Sequence, residues 1–169
     1  MGEAWLLDEV ERPEVRLVAD AMLGRLARRL RALGYDTLYD ASLDDPTLAR
    51  LARAEGRLLL TRDHQLAVVK GLRAVLIGSD HLAAQLAQVL ALLRPLPGRR
   101  FGRCVLCNVV LEELDRASVE SRVPEYVWET QREFALCRGC GRIYWRGSHW
   151  RDIHGHLDAL GLGQRWERD

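Results

Sequence analysis

The stretch from Arg16 to Gly34 constrains the fold most, because a short apolar run ends there in an acid and leads directly into a helical pattern. Residues 17–19 are apolar, Asp20 follows them, and leucines then recur at helical spacing. This pattern predicts a buried strand and an amphipathic helix, with a carboxylate at the ligand-binding edge of a parallel sheet. Asp20 is equally well explained as a helix N-cap. The arginines off the apolar stripe are Arg25, Arg28, Arg29 and Arg31.

The same order of strand and helix recurs up to about residue 95 and predicts an α/β fold with a parallel sheet and helices on both faces. The predicted strands cover residues 17–19, 35–39, 57–61 and 73–77. The predicted helices begin near residues 21, 46, 64 and 78. Pro46 fits the first position of the second helix with Asp45 as its cap, and Asp80 is expected to cap the last helix.

Composition describes a soluble globular chain of 169 residues, with 48% hydrophobic and 29% charged residues and a formal net charge of +1. No apolar run is long enough to span a bilayer and no signal peptide is evident, so a cytoplasmic location is expected. Lys70 is the sole lysine, and all other basic residues in that count are arginines. A GC-rich or thermophilic genome explains this bias, although arginine also suits phosphate recognition.

A basic segment over residues 96–103 divides the sequence, and the alternation of strands and helices stops beyond it. The expected organisation begins with an N-terminal extension over residues 1–14 and an α/β domain over 15–95. The basic linker over 96–103 then leads to a small module over 104–160.

Two CxxC pairs predict a structural zinc site in that small module. The pairs are Cys104/Cys107 and Cys137/Cys140, and 29 residues separate them. Four thiolates form the ligand set of a closed tetrahedral Zn²⁺ site. The long spacer predicts an insert between the hairpins of a zinc ribbon. A redox role would need a thioredoxin-like βαβ unit, and neither pair lies on one. The zinc is therefore expected to hold the module together.

Arginine and aromatic side chains alternate after the second cysteine pair, as in proteins that hold phosphates while stacking single-stranded bases. A small module also needs aromatic side chains in its core, so that role stays open for the tyrosine and the tryptophans. The candidate nucleic-acid contacts in this stretch are Arg142, Trp145, Arg146, His149, Trp150 and Arg151.

Aspartates follow three of the predicted strands and are expected to converge at one edge of the sheet. Clustered carboxylates repel one another unless a cation lies between them, and Mg²⁺ or Mn²⁺ prefers such oxygen ligands. A site of this kind hydrolyses phosphodiester bonds. Three independent helix caps would explain the same residues without a metal. The candidates are Asp20, Asp44, Asp45 and Asp63.

Four stretches carry a resemblance to a known family: VADAMLGRLAR at 18–28, LGYDTLY at 33–39, EGRLLLTRD at 55–63 and CRGCGRIYWRGSHW at 137–150. In this order, from about Val15 to Ile153, they resemble the Mut7-C RNase domain family, a branch of the PIN-like nuclease superfamily with a C-terminal zinc ribbon. The resemblance implies a PIN-like fold, a small zinc ribbon whose metal ion is bound by the four cysteines, and metal-dependent ribonuclease activity.

By matching position, the resemblance assigns the catalytic acids to Asp20, to Asp44 or Asp45, and to Asp63. We expect Asp20, Asp45 and Asp63 to bind Mg²⁺ or Mn²⁺, with Asp44 assisting or replacing Asp45. One departure concerns the residues after Asp63. Many PIN-like nucleases have a further acid there, whereas this chain has a histidine and a glutamine.

The expected function is cleavage of RNA, which we expect to be single-stranded, with the ribbon assisting RNA binding. Arg25 and Arg62 lie next to candidate aspartates and would steady substrate phosphates, or else are solvated surface residues. The rival is a non-catalytic RNA-binding or adaptor module. A phospho-accepting regulatory domain is a remote third interpretation, because Lys70 lies on the wrong segment to hold a phosphoryl group.

Overall fold

Two β-sheets organise the described part of the chain, one parallel with four strands and one antiparallel with three. The computed structural model describes residues 15–93, 102–147, 151 and 155. The predicted extension over 1–14, most of the predicted linker, and His149 and Trp150 lie outside these residues. Within the described ranges, no helix is long and apolar enough to cross a membrane.

The first sheet alternates strands and helices, which confirms the predicted α/β fold. A short 3-10 turn, Ala21–Leu23, joins its first strand to its first helix. The elements are β1 (Leu17–Ala19), α1 (Gly24–Ala32), β2 (Thr37–Leu38), α2 (Asp45–Ala54), β3 (Leu58–Thr61), α3 (His64–Ala67), β4 (Ala74–Leu76) and α4 (Leu82–Leu92).

The strands stand in the order β2-β1-β3-β4, and every neighbouring pair is parallel. Leu17 of β1 packs with side chains of α1 and α4, whereas Val18 packs with side chains of α2 and α3. Because the sheet is buried on both faces, its strands read as continuous apolar runs rather than as alternating patterns.

The second helix begins one residue earlier than predicted. Asp44, not Asp45, is its N-cap, because the Asp44 Oδ1 accepts a hydrogen bond from the Thr47 amide at 2.9 Å. Asp45 is the first helical residue and Pro46 is the second.

The predicted capping role of Asp80 is wrong. The residue at the N-cap position of α4 is His81, and its side chain makes no capping hydrogen bond. The helix begins too late for Asp80 to reach its first turn. The Ser79 hydroxyl oxygen instead accepts the His81 amide at 3.1 Å.

The second sheet contains β5 (Glu112–Leu114), β6 (Phe134–Leu136) and β7 (Ile143–Trp145), in that order. The predicted insert is present between β5 and β6, as a 3-10 turn (Arg116–Val119) and a short helix, α5 (Glu125–Thr130). The helix α5 was not predicted from the sequence, because six residues are too few to show a helical stripe. The core of the module is formed by Val119, Val127 and Phe134.

The module packs against the open edge of β2 through a buried arginine. Arg31, which the helical pattern placed off the apolar stripe, is only 4% exposed. Its Nε donates to the Thr37 carbonyl at 2.8 Å, and its Nη1 donates to the carbonyls of Val105 and Leu106, both at 2.9 Å. One guanidinium therefore joins the sheet edge to the first cysteine turn.

Asn108 and Gly102 complete this contact. The Asn108 Oδ1 accepts the Thr37 amide at 3.1 Å, and its Nδ2 donates to Asp36 at 2.7 Å. A Cβ at Gly102 would lie 2.2 Å from the Ala32 carbonyl oxygen, so the chain can pass this close to α1 only without a side chain. The exposed backbone groups of the edge strand are thus covered.

Candidate active site and metal centre

Asp20 and Asp63 lie on either side of the position where the connections leaving the first sheet diverge. The neighbouring strands β1 and β3 lead to helices on opposite faces, to α1 and α3 respectively. In open α/β sheets, such a divergence forms a crevice outside the carboxyl ends of the strands, where ligands bind. Two of the predicted site residues therefore stand at the expected ligand-binding position of the fold.

A threonine that the sequence analysis did not assign links these two aspartates. The Thr61 hydroxyl donates to the Asp20 Oδ2 at 2.7 Å and accepts the Asp63 amide at 2.9 Å. Thr61 is fully buried and Asp20 is 6% exposed. The TRD tripeptide at 61–63 is the sequence feature that could have indicated this role, because its first and third residues are hydrogen-bonded at the end of β3.

Asp20 is a buried carboxylate without a cationic partner among the described residues. Its position precedes the 3-10 turn, but its side chain makes no capping hydrogen bond, so the capping explanation fails for this residue. Its Oδ1 accepts no hydrogen bond from the described part of the chain, since the bond from Thr61 goes to Oδ2. An ionised carboxylate at such a site favours a bound cation.

Tyr39 holds the 3-10 turn that follows Asp20. Its hydroxyl donates to the Ala21 carbonyl at 3.0 Å. A Cβ at Gly24 would lie 2.5 Å from the Tyr39 hydroxyl oxygen, so the turn and the tyrosine are in close contact. Neither residue was assigned from the sequence, because this contact joins the end of β2 to the start of α1.

Asp63 caps α3, as the alternative interpretation of this residue predicted. Its Oδ1 accepts the amides of Gln65 at 2.6 Å and Leu66 at 3.1 Å. The second oxygen, Oδ2, accepts no hydrogen bond from a described residue and remains open for a ligand. Capping and ligand binding are therefore compatible in this carboxylate. His64 and Gln65, which follow Asp63 in the chain, are both exposed.

Asp44 and Asp45 are both exposed, but their carboxylates differ. Hydrogen bonds from Thr47 lower the pKa of Asp44, and one of its oxygens is occupied by the cap of α2. The carboxylate of Asp45 has no hydrogen-bond partner among the described residues. Within residues 15–93 and 102–147, no three carboxylates lie close enough together to share one ion.

Arg25 and Arg62 are exposed next to the candidate aspartates in the chain. Arg25 lies in the first turn of α1, and Arg62 stands between Thr61 and Asp63. Neither guanidinium forms an ion pair with another described residue. Both are thus available to an anionic ligand.

The four cysteines form a compact ligand set for a metal ion. Their sulfur atoms all lie within 4.8 Å of one another, and the Sγ atoms of Cys104 and Cys140 are 3.8 Å apart. A tetrahedral site with Zn–S distances of about 2.3 Å requires S–S distances of about 3.8 Å. The predicted cysteine cluster is confirmed, and its donor set fits Zn²⁺.

The two CxxC turns have the same backbone geometry. Asn108 follows the first pair with φ 63°, and Gly141 follows the second with φ 73°. The Asn108 amide donates to the Cys104 carbonyl at 2.9 Å, and the Gly141 amide donates to the Cys137 carbonyl at 2.8 Å. Asparagine and glycine are the residues that adopt this left-handed conformation most readily.

The thiols differ in acidity before a metal binds. Burial raises the pKa of Cys104, but hydrogen bonds from Tyr144 and from the amides of Cys107 and Leu106 outweigh burial and lower the pKa to about 6. The hydrogen bond with Cys140 raises the pKa of Cys107 to about 12. Cys104 therefore ionises first, and a metal ion displaces protons from its neighbours.

The candidate nucleic-acid residues of the module have different surroundings. Arg142 and Arg151 are exposed, whereas Arg146 pairs with Glu133 at 3.3 Å. Trp145 is half-buried and packs against the module core, which supports the alternative role predicted for the tryptophans. His149 and Trp150 lie outside the described residues.

The fold and the two sites define a parallel α/β domain with carboxylates at its ligand-binding edge and an appended four-cysteine module. The family model of the Mut7-C RNAse domain matches residues 15–157, and the chain belongs to this family. The resemblance seen in the sequence is confirmed. Membership implies a nuclease-type enzyme with RNA as its substrate. No curated protein and no solved structure matches the chain.

Proposed function

We propose that the chain is a Mg²⁺- or Mn²⁺-dependent ribonuclease whose active site lies at the carboxyl ends of β1 and β3. The observation that carries the proposal is Asp20, a buried carboxylate that is tied to Asp63 through Thr61 and lacks a described cationic partner. The nuclease class of the family supports the reaction.

No three described carboxylates lie close enough together to share one ion. The proposed cation would therefore be held by Asp20 and Asp63, with Asp45 drawn in to complete the site when the cation binds. Asp20 and Asp63 each keep one oxygen free of hydrogen bonds from described residues, and the Asp45 carboxylate keeps both. Asp44 is the second choice for this position and would assist or replace Asp45. One of its carboxylate oxygens already caps α2. When bound, the cation supplies an activated water and neutralises charge on the phosphoryl group.

The protein groups around these aspartates orient and bind. Thr61 fixes the rotation of the Asp20 carboxylate, and Tyr39 fixes the turn behind it. The exposed guanidinium groups of Arg25 and Arg62 bind substrate phosphates through charge-assisted hydrogen bonds. The four-cysteine module holds Zn²⁺ and extends the RNA-binding surface through its own arginines and aromatic side chains.

The test is cleavage of labelled single-stranded RNA by the zinc-loaded chain. We expect cleavage to require added Mn²⁺ or Mg²⁺ and to fall by at least about a hundredfold in Asp63→Asn, which keeps an oxygen for the α3 cap but loses the charge. Asp80→Asn is the matched control, because Asp80 is an exposed acid beyond β4 with no assigned role. Full activity in Asp63→Asn, or cleavage without a divalent cation, would contradict the proposal.

A non-catalytic RNA-binding module is the second candidate. Two observations favour it: no three described carboxylates share one ion site, and His64 and Gln65 stand at the position of the further acid. RNA that stays intact under every condition, while still bound, would establish this alternative.

A further inference from the structure

An open groove of about 600 Å³ lies on the four-cysteine module. The first CxxC turn bounds it at Val105 and Leu106, and the segment 122–124 and β7 form its other walls. All lining residues belong to this module, so the groove is separate from the candidate active site on the first sheet. Its volume lies in the range of small-molecule binding sites.

The lining combines apolar surface with two arginines. Leu106 is 46% exposed, and Ile143 and the half-buried Trp145 add further apolar area. Arg122 and Arg142 are exposed, and neither side chain bonds to another described residue. No aspartate or glutamate is among the lining residues. An apolar surface between free guanidinium groups suits an aromatic ligand that carries negative charge.

The open edge of β7 adds polar backbone groups to this lining. Among the described strands β7 pairs only with β6, and the Cys137 amide donates to the Arg142 carbonyl. Because partners alternate along an antiparallel strand, the backbone groups of Ile143 and the amide of Trp145 face away from β6. The Trp145 carbonyl already accepts the Gly147 amide at 3.0 Å. The backbone groups that remain open can bond to the edge of a nucleobase. A peptide strand would gain few bonds from a three-residue edge.

We propose that this groove binds one unpaired nucleotide of RNA. The base lies against the apolar lining, and Arg122 and Arg142 bind the adjoining phosphates. The inference rests on the proposed function and names a substrate contact for it, away from the carboxylates. Arg122 was not singled out by the sequence, because it lies in the insert between the cysteine pairs, far from the arginine-rich stretch.

The test measures RNA affinity in the zinc-loaded full chain carrying Asp20→Asn, so that the RNA stays intact. The probes are a fluorescent oligouridine and an abasic strand of equal length and charge. We expect Arg122→Ala/Arg142→Ala to weaken oligouridine binding at least about tenfold and to reduce the salt slope by about 1.4. The matched control is Arg73→Ala/Arg132→Ala, because both arginines are exposed and outside the groove.

A second variant tests the base contact. Leu106→Ser keeps both arginines, so we expect weaker binding of oligouridine and unchanged binding of the abasic strand. Equal oligouridine affinity of Arg122→Ala/Arg142→Ala and Arg73→Ala/Arg132→Ala would overturn the proposal and favour a peptide as the ligand of the groove. Equal affinity of the Asp20→Asn chain, without further substitutions, for oligouridine and the abasic strand would also overturn the proposal. Cleavage by the chain with Asp20 intact is measured separately, so the groove can fail while the nuclease proposal stands, or the reverse.

Discussion

Thr61 joins the two central aspartates of the candidate active site through one buried hydroxyl. Its oxygen is both a donor to Asp20 and an acceptor from the Asp63 amide. A buried group with both of its bonds made is costly to remove, because each former partner is left unpaired. The orientation of the Asp20 carboxylate therefore depends on Thr61, a neutral residue.

Substitutions at Thr61 can test the hydroxyl group separately from the volume of the side chain. Thr61→Val keeps the volume but leaves Asp20 and the Asp63 amide unpaired, so we expect the free energy of unfolding to fall by about 1–3 kcal/mol. Cleavage of RNA should fall by at least about tenfold. Thr61→Ser retains the hydroxyl and should recover most of the cleavage. Urea unfolding and initial rates measure both effects, and a valine variant with normal cleavage would remove Thr61 from the site.

The cysteine thiols predict a steep pH dependence of zinc binding. Hydrogen bonding with Cys140 raises the pKa of Cys107 to about 12, and burial raises that of Cys137, so both carry protons at neutral pH without metal. Zn²⁺ binds thiolates and must displace at least these two protons, so near neutral pH the affinity rises by at least about 100-fold per pH unit. Competition with a chromophoric chelator at several pH values measures this. An affinity independent of pH would be incompatible with these thiol pKa values.

Position after a strand identified Asp20 and Asp63 in the sequence, because a parallel sheet brings such residues to one edge. The same reasoning could not assign Thr61, whose role depends on the distance between β1 and β3. The separate prediction that Asp80 caps α4 was wrong, because His81 occupies the N-cap position of that helix. Whether Asp45 joins the other two aspartates stays a prediction.

At the scale of elements, the edge of β2 is the joint between the two sheets. Arg31 lies in the last turn of α1 and bonds to backbone carbonyls of β2 and of the first CxxC turn. Its fork of donors matches several carbonyls at once, which a lysine could not do. The joint therefore fixes the zinc module against an edge strand that would otherwise be open.

Arg31→Met should uncouple this joint. The carbonyls of Thr37, Val105 and Leu106 lose their donor, so we expect the free energy of unfolding to drop by roughly 3 kcal/mol. Arg28→Met is the control, since Arg28 is exposed on the same helix and should change stability by no more than about 0.5 kcal/mol. Guanidinium-induced unfolding of the zinc-loaded proteins gives both values. Equal losses of unfolding free energy in Arg31→Met and Arg28→Met would contradict the role of Arg31 in this joint.

The elements of the first sheet could be predicted because each has a local signal. Apolar runs mark its strands, and Gly34 and Gly56 stand after helices with positive φ values of 98° and 62°. The joint had no such signal. Arg31 and Val105 are 74 residues apart, and a helix position off the apolar stripe reads as exposed until its partner is known.

At the scale of the molecule, the two candidate metal sites have separate locations and separate tasks. The cysteine module contacts the edge of β2, whereas Asp20 and Asp63 lie at the carboxyl ends of β1 and β3. The proposed zinc would stabilise a binding surface, and the proposed cation at the aspartates would support cleavage. We therefore predict that binding and cleavage of RNA can be changed independently.

The most direct measurement compares cleavage and binding of the same single-stranded RNA in Asp20→Asn. The amide keeps an oxygen for the Thr61 hydroxyl and removes the charge, so the fold and the zinc module should be preserved. We expect cleavage in Mn²⁺ to fall at least about a hundredfold, with RNA affinity within about twofold of that of the unmodified chain. Undiminished cleavage by Asp20→Asn, with Asp80→Asn as the control, would contradict the claim that these aspartates form the nuclease site.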